Sequence, residues 1–142
     1  MSTQKTIILD TNFVMIPFSH KIDVYEQIDR VCPFAHQLSV FEGTVQELDK
    51  LILQGGLTGK NAKAASQLLI QKLTSEEITV LPGQSTHVDD DIVTYAQSNP
   101  SCIVATQDKG LKKRLKTQFI VLRQEKFIQF IDPGNHVDIE SI

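Results

Sequence analysis

With 142 residues the chain can form one domain with a substantial core, and its 41% hydrophobic and 22% charged residues are typical of a globular protein. A net charge of −3 excludes binding to polyanions through overall charge, so any nucleic-acid contact must come from a local basic patch or a metal ion. No apolar stretch approaches the roughly 20 residues of a membrane span, and two cysteines without a CxxC motif or signal peptide predict a reducing, cytoplasmic location.

Short apolar runs alternate with amphipathic segments along the first half of the chain. The apolar runs predict buried strands at residues 6–9 and 37–41. Segments with apolar residues at helical spacing predict helices at 13–18, 22–31, 44–54 and 61–73. The first helix should stop near Pro17, and the glycine-rich segment 55–59 (GGLTG) should form a loop between the last two helices.

The second half of the chain continues this alternation. Strands are predicted at 78–81, 102–105 and 119–122, and helices at 89–97, 109–116 and 126–131. Strands that alternate with helices predict β-α-β units, and hence an α/β domain with a parallel sheet of about five strands covered on both faces. The domain is predicted to span residues 1–131 and to be followed by a polar tail at 132–142.

Four acidic residues lie at the end of a predicted strand or just inside the helix that follows it: Asp10, Glu47, Asp89 and Asp108. The carboxyl ends of parallel strands open onto one edge of a sheet, where ligands bind. We therefore expect these acids to converge on one pocket. Because converging carboxylates repel one another, a hard divalent cation with oxygen ligands, Mg²⁺ or Mn²⁺, is the expected cofactor. This arrangement predicts metal-assisted phosphodiester chemistry.

Structural roles are open to each of these acids taken singly. Asp10 and Asp108 precede helices and could cap them, and Glu47 could form an ordinary ion pair with Lys50 one turn later. Asp89 belongs to a run of three aspartates, which is more than a helix N-terminus needs. The expected convergence of all four acids at one edge of the sheet favours the functional interpretation over the separate structural ones.

Helical spacing separates the three side chains of the aspartate run at 89–91. Asp89 shares a helix face with the apolar residues three and four positions later, so we expect it to face the pocket. Asp90 is a second candidate metal ligand. Asp91 should be solvated or should complement the helix dipole.

Basic residues crowd the helix after Asp108, and two more follow the glycine-rich segment. Beside an acidic metal pocket they would form a phosphate-binding wall, whereas a solvated charged face is the commoner role of such a run. Thr106 is placed to hydrogen-bond a metal-bound water or a phosphate. The candidate residues for binding the phosphates of a nucleic acid are Lys60, Lys63, Lys109, Lys112, Lys113, Arg114 and Lys116.

Motifs of other enzyme classes are absent from the sequence. No GxGxxG or GxxxxGK[ST] motif follows a predicted strand, and there is no GxSxG nucleophile elbow. The four histidines lack the spacing of a zinc site. These absences argue against dinucleotide-binding, P-loop, serine-hydrolase and zinc-dependent functions.

The ordered acidic motifs resemble those of PIN-domain ribonucleases. The matching segments are TIILDTN, TVQELDKL, VDDDIVTYA and IVATQDKGLKKRL, which together cover about residues 6–130. Their spacing is most similar to the rRNA-processing branch of archaea and eukaryotes, and the VapC-type toxin branch is a more distant likeness. The resemblance implies a three-layer α/β/α sandwich, and an endoribonuclease that uses Mg²⁺ or Mn²⁺ to cut single-stranded RNA.

The same resemblance implies a set of site residues. The catalytic and metal-binding acids would be Asp10, Glu47, Asp89 and Asp108, with Asp90 as an additional ligand and with Asn12 and Thr106 as supporting polar residues. Many members of the family carry a further acid where this chain has Gly110. The four remaining carboxylates should hold one metal ion, with weak binding of a second.

The sequence therefore predicts a cytoplasmic, metal-dependent endoribonuclease active in rRNA processing or ribosome biogenesis. Its expected partner is single-stranded RNA, pre-rRNA in particular, with a homodimer or a ribonucleoprotein as the assembly and no contact with a membrane. Two alternatives stay open. One is a PIN-type scaffold that binds RNA or protein without cutting, and the other is a VapC-like toxin ribonuclease.

Overall fold

One mixed sheet forms the centre of the protein in a computed structural model that describes residues 4–133. The strands are β1 (Lys5–Leu9), β2 (His36–Phe41), β3 (Ile78–Leu81), β4 (Ile103–Ala105), β5 (Gln118–Arg123) and β6 (Phe127–Ile131). The helices are α1 (Thr11–Ser19), α2 (Val24–Val31), α3 (Glu42–Gln54), α4 (Gly56–Thr74), α5 (Val88–Ser98) and α6 (Lys109–Lys113).

The strand order is β3-β2-β1-β4-β5-β6, and all neighbours pair in parallel except β5 and β6. The chain builds the sheet outward in one direction from β1 to β3 and in the other direction from β4. The order therefore reverses between β1 and β4, where Leu9 pairs with Ala105. In parallel α/β sheets a crevice opens at such a reversal, outside the carboxyl ends of the strands.

Helices cover both faces of the sheet, because successive strand residues point to opposite sides. In β1, Ile7 and Leu9 join one core, which α1, α2, α3 and α4 cover, and Ile8 joins the other core beneath α5 and α6. The result is a three-layer α/β/α sandwich, as predicted. Both cysteines, Cys32 and Cys102, are free and buried in these cores.

The last predicted helix, at 126–131, is wrong, since this segment forms strand β6. Gln124 and Glu125 both have a left-handed φ, which a type I′ turn requires, and Lys126 N–H closes the turn on the Arg123 carbonyl. The FIQFI sequence that follows is rich in β-branched and aromatic residues, which favour strands. The sheet consequently has six strands in the described residues rather than about five, the sixth being antiparallel.

The predicted glycine loop at 55–59 is also wrong. Within the segment 55–59, Gly55 and Gly56 alone have a left-handed φ. Because α4 begins at Gly56, the connection between α3 and α4 is a sharp corner and not a loop. Gly59 lies within α4 against α3, where a Cβ atom would approach the carbonyl oxygens of Ile52 and Leu51 to 3.0 and 3.1 Å. This glycine therefore allows two helix backbones to approach closely.

Helix ends also differ from the sequence predictions. Helix α1 does not stop near Pro17 but continues through it to Ser19. The basic helix predicted at 109–116 ends at Lys113, because the chain must turn into β5. The predicted polar tail falls outside the described residues from position 134 onward. Within residues 4–133 no helix has the length and apolar character needed to cross a bilayer.

Candidate active site

A cleft of about 370 Å³ opens at the reversal of strand order, beside the carboxyl ends of β1 and β4. Its lining consists of Asp10, Thr11, Asn12, Glu47, Lys50, Leu51, Gln54, Asp89 and Asp108. The structure thus brings together all four acids that the sequence placed at one edge of the sheet. Their convergence is a structural finding, whereas their catalytic roles stay predictions.

Asp10 lies at the bottom of the cleft and is only 4% exposed. The Thr11 amide donates a hydrogen bond to its Oδ1 at 2.8 Å, and the Thr106 hydroxyl donates one to its Oδ2 at 2.7 Å. Burial raises the pKa of Asp10 to about 6, and the charges of Asp89 and Glu47 add to this effect, against the opposing effect of the two hydrogen bonds. Both oxygens are therefore fixed in position on a group whose charge is poorly solvated.

Asp108 is held by the start of α6. Its Oδ1 accepts a hydrogen bond from Leu111 N–H at 3.1 Å, which caps the helix as the sequence suggested. Its own amide donates to the Thr106 hydroxyl oxygen at 3.0 Å. Thr106 therefore connects Asp10 to Asp108. A Cβ atom at Gly110 would lie 3.2 Å from Asp108 Oδ1, so glycine there leaves room for the capping carboxylate.

Glu47 projects from α3 toward the end of β1. Its Oε1 accepts a short hydrogen bond from the Thr11 hydroxyl. The Thr11 hydroxyl also lies 3.4 Å from that of Thr44, a buried residue in the first turn of α3. Thr11 therefore contacts two of the acids, Asp10 through its backbone and Glu47 through its side chain. The sequence analysis assigned Thr11 no such role.

Asp89 is the least constrained acid of the cleft, and its carboxylate has no hydrogen-bond partner among the described residues. Burial raises its pKa, and the carboxylates of Asp108 and Glu47 raise it further, despite an opposing effect of Arg114. Asp89 is therefore the carboxylate whose oxygens are most available to a ligand.

Asp90 does not line the cleft, although the sequence proposed it as a metal ligand. Its Oδ1 lies 2.7 Å from Arg114 Nη2, in an ion pair between α5 and the end of α6. The hydrogen bond with Arg114 lowers the pKa of Asp90. One helical position turns this side chain away from Asp89 toward the guanidinium, so the placement of Asp90 at the metal site is corrected.

None of the predicted RNA-binding cations lines the cleft. Lys112 is buried, with its pKa lowered mainly by that burial, and Arg114 is engaged with Asp90. The remaining five are exposed on α4 and on or just after α6: Lys60, Lys63, Lys109, Lys113 and Lys116. The cation that does line the cleft is Lys50. The signal for it was its spacing of three residues from Glu47, which places both on one helix face.

Asp91 is another residue whose role the sequence analysis missed. It was expected to be solvated, but it is buried. Its Oδ1 accepts hydrogen bonds from the backbone amides of Gln84 at 3.1 Å and Ser85 at 2.9 Å. A Cβ atom at Gly83 would lie only 2.6 Å from Asp91 Oδ2. These contacts fix the segment that leads into α5 and hence the position from which Asp89 projects.

The donor set of the cleft fits a hard divalent cation. All four acids supply oxygen, and a cation would offset both the burial that mainly raises the pKa of Asp10 and Asp89 and the carboxylate repulsion that adds to it. Within residues 4–133 no three acidic, histidine or cysteine side chains are grouped so as to hold a metal ion by themselves. The fit is therefore to Mg²⁺ or Mn²⁺ bound by one or two carboxylates and several waters, a common mode for Mg²⁺.

A smaller cavity of about 230 Å³ continues the cleft on one side and shares Glu47, Lys50 and Asp89 with it. A larger cavity of about 530 Å³ continues it on the other side and shares Asn12 and Leu51. The acids thus lie midway along a groove rather than at the end of a closed pocket. Such a shape admits the interior of a polymer chain.

Comparison with known proteins assigns this fold and site to a family. Residues 7–125 match the model of the PIN like domain. Ribonuclease VapC4 of Methanocaldococcus jannaschii is 32% identical over 126 residues, which cover 87% of this chain and 94% of that protein. The rRNA-processing protein fcf1 of Schizosaccharomyces pombe is 30% identical over 113 residues, which cover 78% of this chain but only 53% of the yeast protein.

Solved structures show the same fold. The PIN domain endonuclease Utp24 superposes with a TM-score of 0.68 at 24% identity, covering 89% of this chain and 93% of that one. A domain of a functionally unknown protein from Methanocaldococcus jannaschii has a TM-score of 0.57 at 21% identity, covering 84% and 91% of the two chains. These similarities concern the arrangement of helices and strands.

Proposed function

Because this chain belongs to the PIN domain family of nucleases, we propose that it is a metal-dependent endoribonuclease that cleaves single-stranded RNA. The observation that carries this proposal is the meeting of Asp10, Glu47, Asp89 and Asp108 in one cleft at the carboxyl ends of β1 and β4. The groove that continues the cleft on both sides supports cutting within a strand rather than at its end.

Mg²⁺ or Mn²⁺ is the proposed cofactor, held directly or through water by Asp10, Glu47, Asp89 and Asp108. When bound, such an ion lowers the pKa of a coordinated water and stabilises the charge that develops on the phosphate. Asp10 supplies a fixed carboxylate, because Thr11 and Thr106 hold both of its oxygens.

Asp89 is the proposed general base. Its carboxylate has no hydrogen-bond partner among residues 4–133, and burial, together with the charges of Asp108 and Glu47, raises its pKa and so makes it a stronger proton acceptor. Asp108 is less suited to the role, because its Oδ1 caps α6. In this proposal an Asp89 oxygen accepts the proton of the attacking water, and no side chain of the protein forms a covalent intermediate.

Lys50 is the proposed phosphate contact inside the cleft, where its ammonium can donate hydrogen bonds to a non-bridging oxygen. The exposed lysines of α4 and the α6 region, Lys60, Lys63, Lys109, Lys113 and Lys116, would attract more distant phosphates. Single-stranded RNA is the proposed substrate, because a flexible backbone can enter a recessed cleft and unpaired bases can turn aside.

The biological setting that we propose is rRNA processing. Similarity to fcf1, whose name describes an rRNA-processing protein, supports this setting, although the chain spans about half the length of that relative. Similarity to Ribonuclease VapC4 over nearly its whole length supports a VapC-type ribonuclease as the second candidate. Growth arrest on expression, relieved by the product of a neighbouring small gene, would identify the VapC-type role. Cleavage of pre-rRNA at one position would identify the processing role.

The test is cleavage of a labelled single-stranded RNA in Mn²⁺, in Mg²⁺ and in EDTA. The wild type is compared with Asp10→Asn, Asp89→Asn and the control Asp49→Asn, an exposed aspartate on the same helix as Glu47 and outside the cleft lining. We expect metal-dependent cutting by the wild type and the control only. No cutting in any metal, together with salt-sensitive RNA binding, would instead identify the scaffold alternative. Light scattering with and without RNA tests the proposed homodimer.

A further inference from the structure

The larger of the two cavities beside the acid cleft has a distinct chemical character. Its volume is about 530 Å³, and it lies between α1, the first turn of α4 and the turn that joins β5 to β6. Asn12 and Leu51 line both this cavity and the cleft, so the two spaces are adjacent. A polymer whose phosphate lies at the acids would have its neighbouring nucleotide within reach of this cavity.

The lining is apolar at its base and polar, but nearly uncharged, at its rim. Apolar surface comes from Met15, Ile16, Leu51 and Leu122. Among the described residues that line it there is no lysine or arginine, and Glu125 is the one carboxylate, 3.5 Å from His20 Nε2. The cavity is therefore unsuited to a phosphate, in contrast to the cleft with Lys50 and the proposed metal site.

One wall of this cavity is fixed by hydrogen bonds that need no ligand. The side-chain amide of Gln107 accepts a hydrogen bond from Leu122 N–H at 2.5 Å and donates one to the Leu122 carbonyl at 3.3 Å. Gln107 immediately precedes Asp108 of the cleft, so the same short loop forms part of both sites. A ligand in the cavity would accordingly have a fixed position relative to the acids.

We propose that this cavity binds one unpaired nucleobase of the RNA strand that is cut in the acid cleft, a proposal that rests on the proposed function. A nucleobase is neutral, with flat faces that pack on apolar side chains and polar edges that hydrogen-bond, which matches an apolar base and an amide-rich rim. The volume lies in the range of pockets that hold small organic ligands. Its position beside the cleft favours a base of the same strand over a separate small molecule or a peptide.

Because Asn12 and Leu51 line both the cavity and the cleft, the bound base would lie a fixed number of nucleotides from the bond that is cut. This gives the enzyme a requirement for a base at one position of the strand, which is separate from any preference for the identity of that base. Contacts to the faces of a base tolerate every base, whereas hydrogen bonds along its edge discriminate. The rim offers the side chains of Asn12 and Gln124 for such hydrogen bonds.

The test uses a short oligouridylate series in which a single abasic nucleotide is moved along the strand. The probing variant is Thr58→Trp, since Thr58 is exposed at the rim and a bulky ring there would fill the cavity without disturbing the core. The matched control is Thr74→Trp, an exposed threonine at the far end of the same helix and away from both cavities. Thermal melts of both variants report on folding.

In the wild type and in Thr74→Trp we expect one abasic position, at a constant distance from the cut, to raise KM about tenfold, since a base packed on side chains is worth roughly 1–3 kcal/mol. In Thr58→Trp the oligonucleotide without an abasic nucleotide should already have the raised KM, and KM should not depend on the position of the abasic nucleotide. The proposal is overturned if KM does not depend on the abasic position in the wild type. It is also overturned if a folded Thr58→Trp protein shows the same dependence of KM on abasic position as the wild type.

A binding measurement separates this proposal from the proposed nuclease activity. In EDTA, an Asp10→Asn protein is titrated with a set of the same oligouridylates that carry 2-aminopurine at each position in turn. We expect a fluorescence change on binding that Thr58→Trp abolishes and Thr74→Trp retains. This result would support the base site even if no RNA were cut, whereas cutting without any position-dependent fluorescence change would leave the nuclease standing and remove the base site.

Discussion

The cleft contains two pairs of acids that the fold holds in different ways. The strand-end acids, Asp10 and Asp108, follow β1 and β4 and are tied by hydrogen bonds to backbone amides and to Thr106. The helix acids, Glu47 and Asp89, project from α3 and α5, and their one hydrogen bond among the described residues comes from the Thr11 hydroxyl. The fold thus fixes one pair and leaves the other free to accept ligands.

This difference follows from where the sheet can donate hydrogen bonds. The ends of β1 and β4 present backbone amides and a buried threonine, which orient both carboxylates, and Asp10 is also confined where water is scarce. Helix side chains reach the cleft from partly exposed positions and keep more of their solvation. In the proposed metal site, Asp10 and Asp108 would set the position of the ion, and Glu47 and Asp89 would keep oxygens available for it and for the substrate.

The largest expected effect is a difference in activity between the two pairs. Asp10→Asn should reduce cleavage about a thousandfold and Glu47→Gln about tenfold to a hundredfold, because only the first removes a fixed charge from the bottom of the cleft. Single-turnover rates in saturating Mn²⁺ give the comparison, with Asp49→Asn as the control. Equal losses from the two substitutions would show that the distinction between the pairs has no catalytic meaning.

The second expectation concerns stability without metal. Folding raises the pKa of Asp10 to about 6, above the unfolded value near 4. The stability contributed by protonated Asp10 is fully present below the unfolded pKa and is lost as pH rises through about 6. In EDTA above that pH, Asp10→Asn should therefore unfold in more urea than the wild type, by on the order of 2 kcal/mol.

The difference between Asp10→Asn and the wild type should shrink as pH falls below about 6 and disappear below the unfolded pKa, where Asp10 is protonated in both the folded and the unfolded state. Asp108→Asn is the comparison within the strand-end pair, and it should not stabilise, because it weakens the cap of α6. Adding Mn²⁺ should stabilise the wild type more than Asp10→Asn. Destabilisation by Asp10→Asn at every pH would mean that its hydrogen bonds outweigh its desolvation.

The third expectation tests the connection between the strand-end acids. Thr106→Val removes the hydroxyl that donates to Asp10 and accepts from the Asp108 amide, with little change in volume. We expect activity to fall about tenfold to a hundredfold, as for other groups that orient metal ligands. Loss of the hydrogen bond raises the pKa of Asp10, so the acidic limb of the pH–rate profile should move to higher pH. Thr94→Val, at an exposed position on α5, serves as the control.

The smallest expected effect belongs to Lys50, on the helix side of the cleft. Lys50→Met should weaken RNA binding about threefold to tenfold at moderate salt and lower the slope of log affinity against log salt by about one. Lys63→Met, an exposed lysine of α4 outside the cleft, should change the same slope less. If the two variants behave alike, Lys50 acts as part of the general surface charge rather than as a phosphate contact.

The sequence predicted the strand-end acids for a reason that the structure makes plain. Asp10 directly follows an apolar strand and Asp108 follows another within three residues, and parallel strands bring such positions to one edge. Glu47 and Asp89 were found from helical spacing against buried neighbours. The same spacing distinguishes Asp89 from Asp90, whose pairing with Arg114 depends on a contact between α5 and the end of α6 that no local pattern reports.

What the sequence could not predict depends on long-range packing. Residues 127–131 add to the edge of β5 as a strand, a choice decided by the turn at Gln124 and Glu125. The sequence pattern indicates that Asp91 is a surface aspartate, but in the structure the 83–85 segment covers it and donates hydrogen bonds to it. The sequence pattern indicates that Lys50 is an ion-pair partner of Glu47, but the structure shows that Lys50 also lines the cleft. Each of these errors comes from a contact between residues distant in sequence or separated by a turn.

Gly59 has a consequence that reaches the opposite side of α3. Because Gly59 has no side chain, α4 can lie against the carbonyl oxygens of Leu51 and Ile52. Leu51 also lines both the acid cleft and the larger cavity beside it. A side chain at position 59 would require α3 and α4 to separate by a few tenths of an ångström, and α3 carries Glu47 and Lys50. The width of the cleft that would admit the proposed RNA substrate therefore depends on a residue of α4 that does not line it, and relatives could change this width without changing any lining residue.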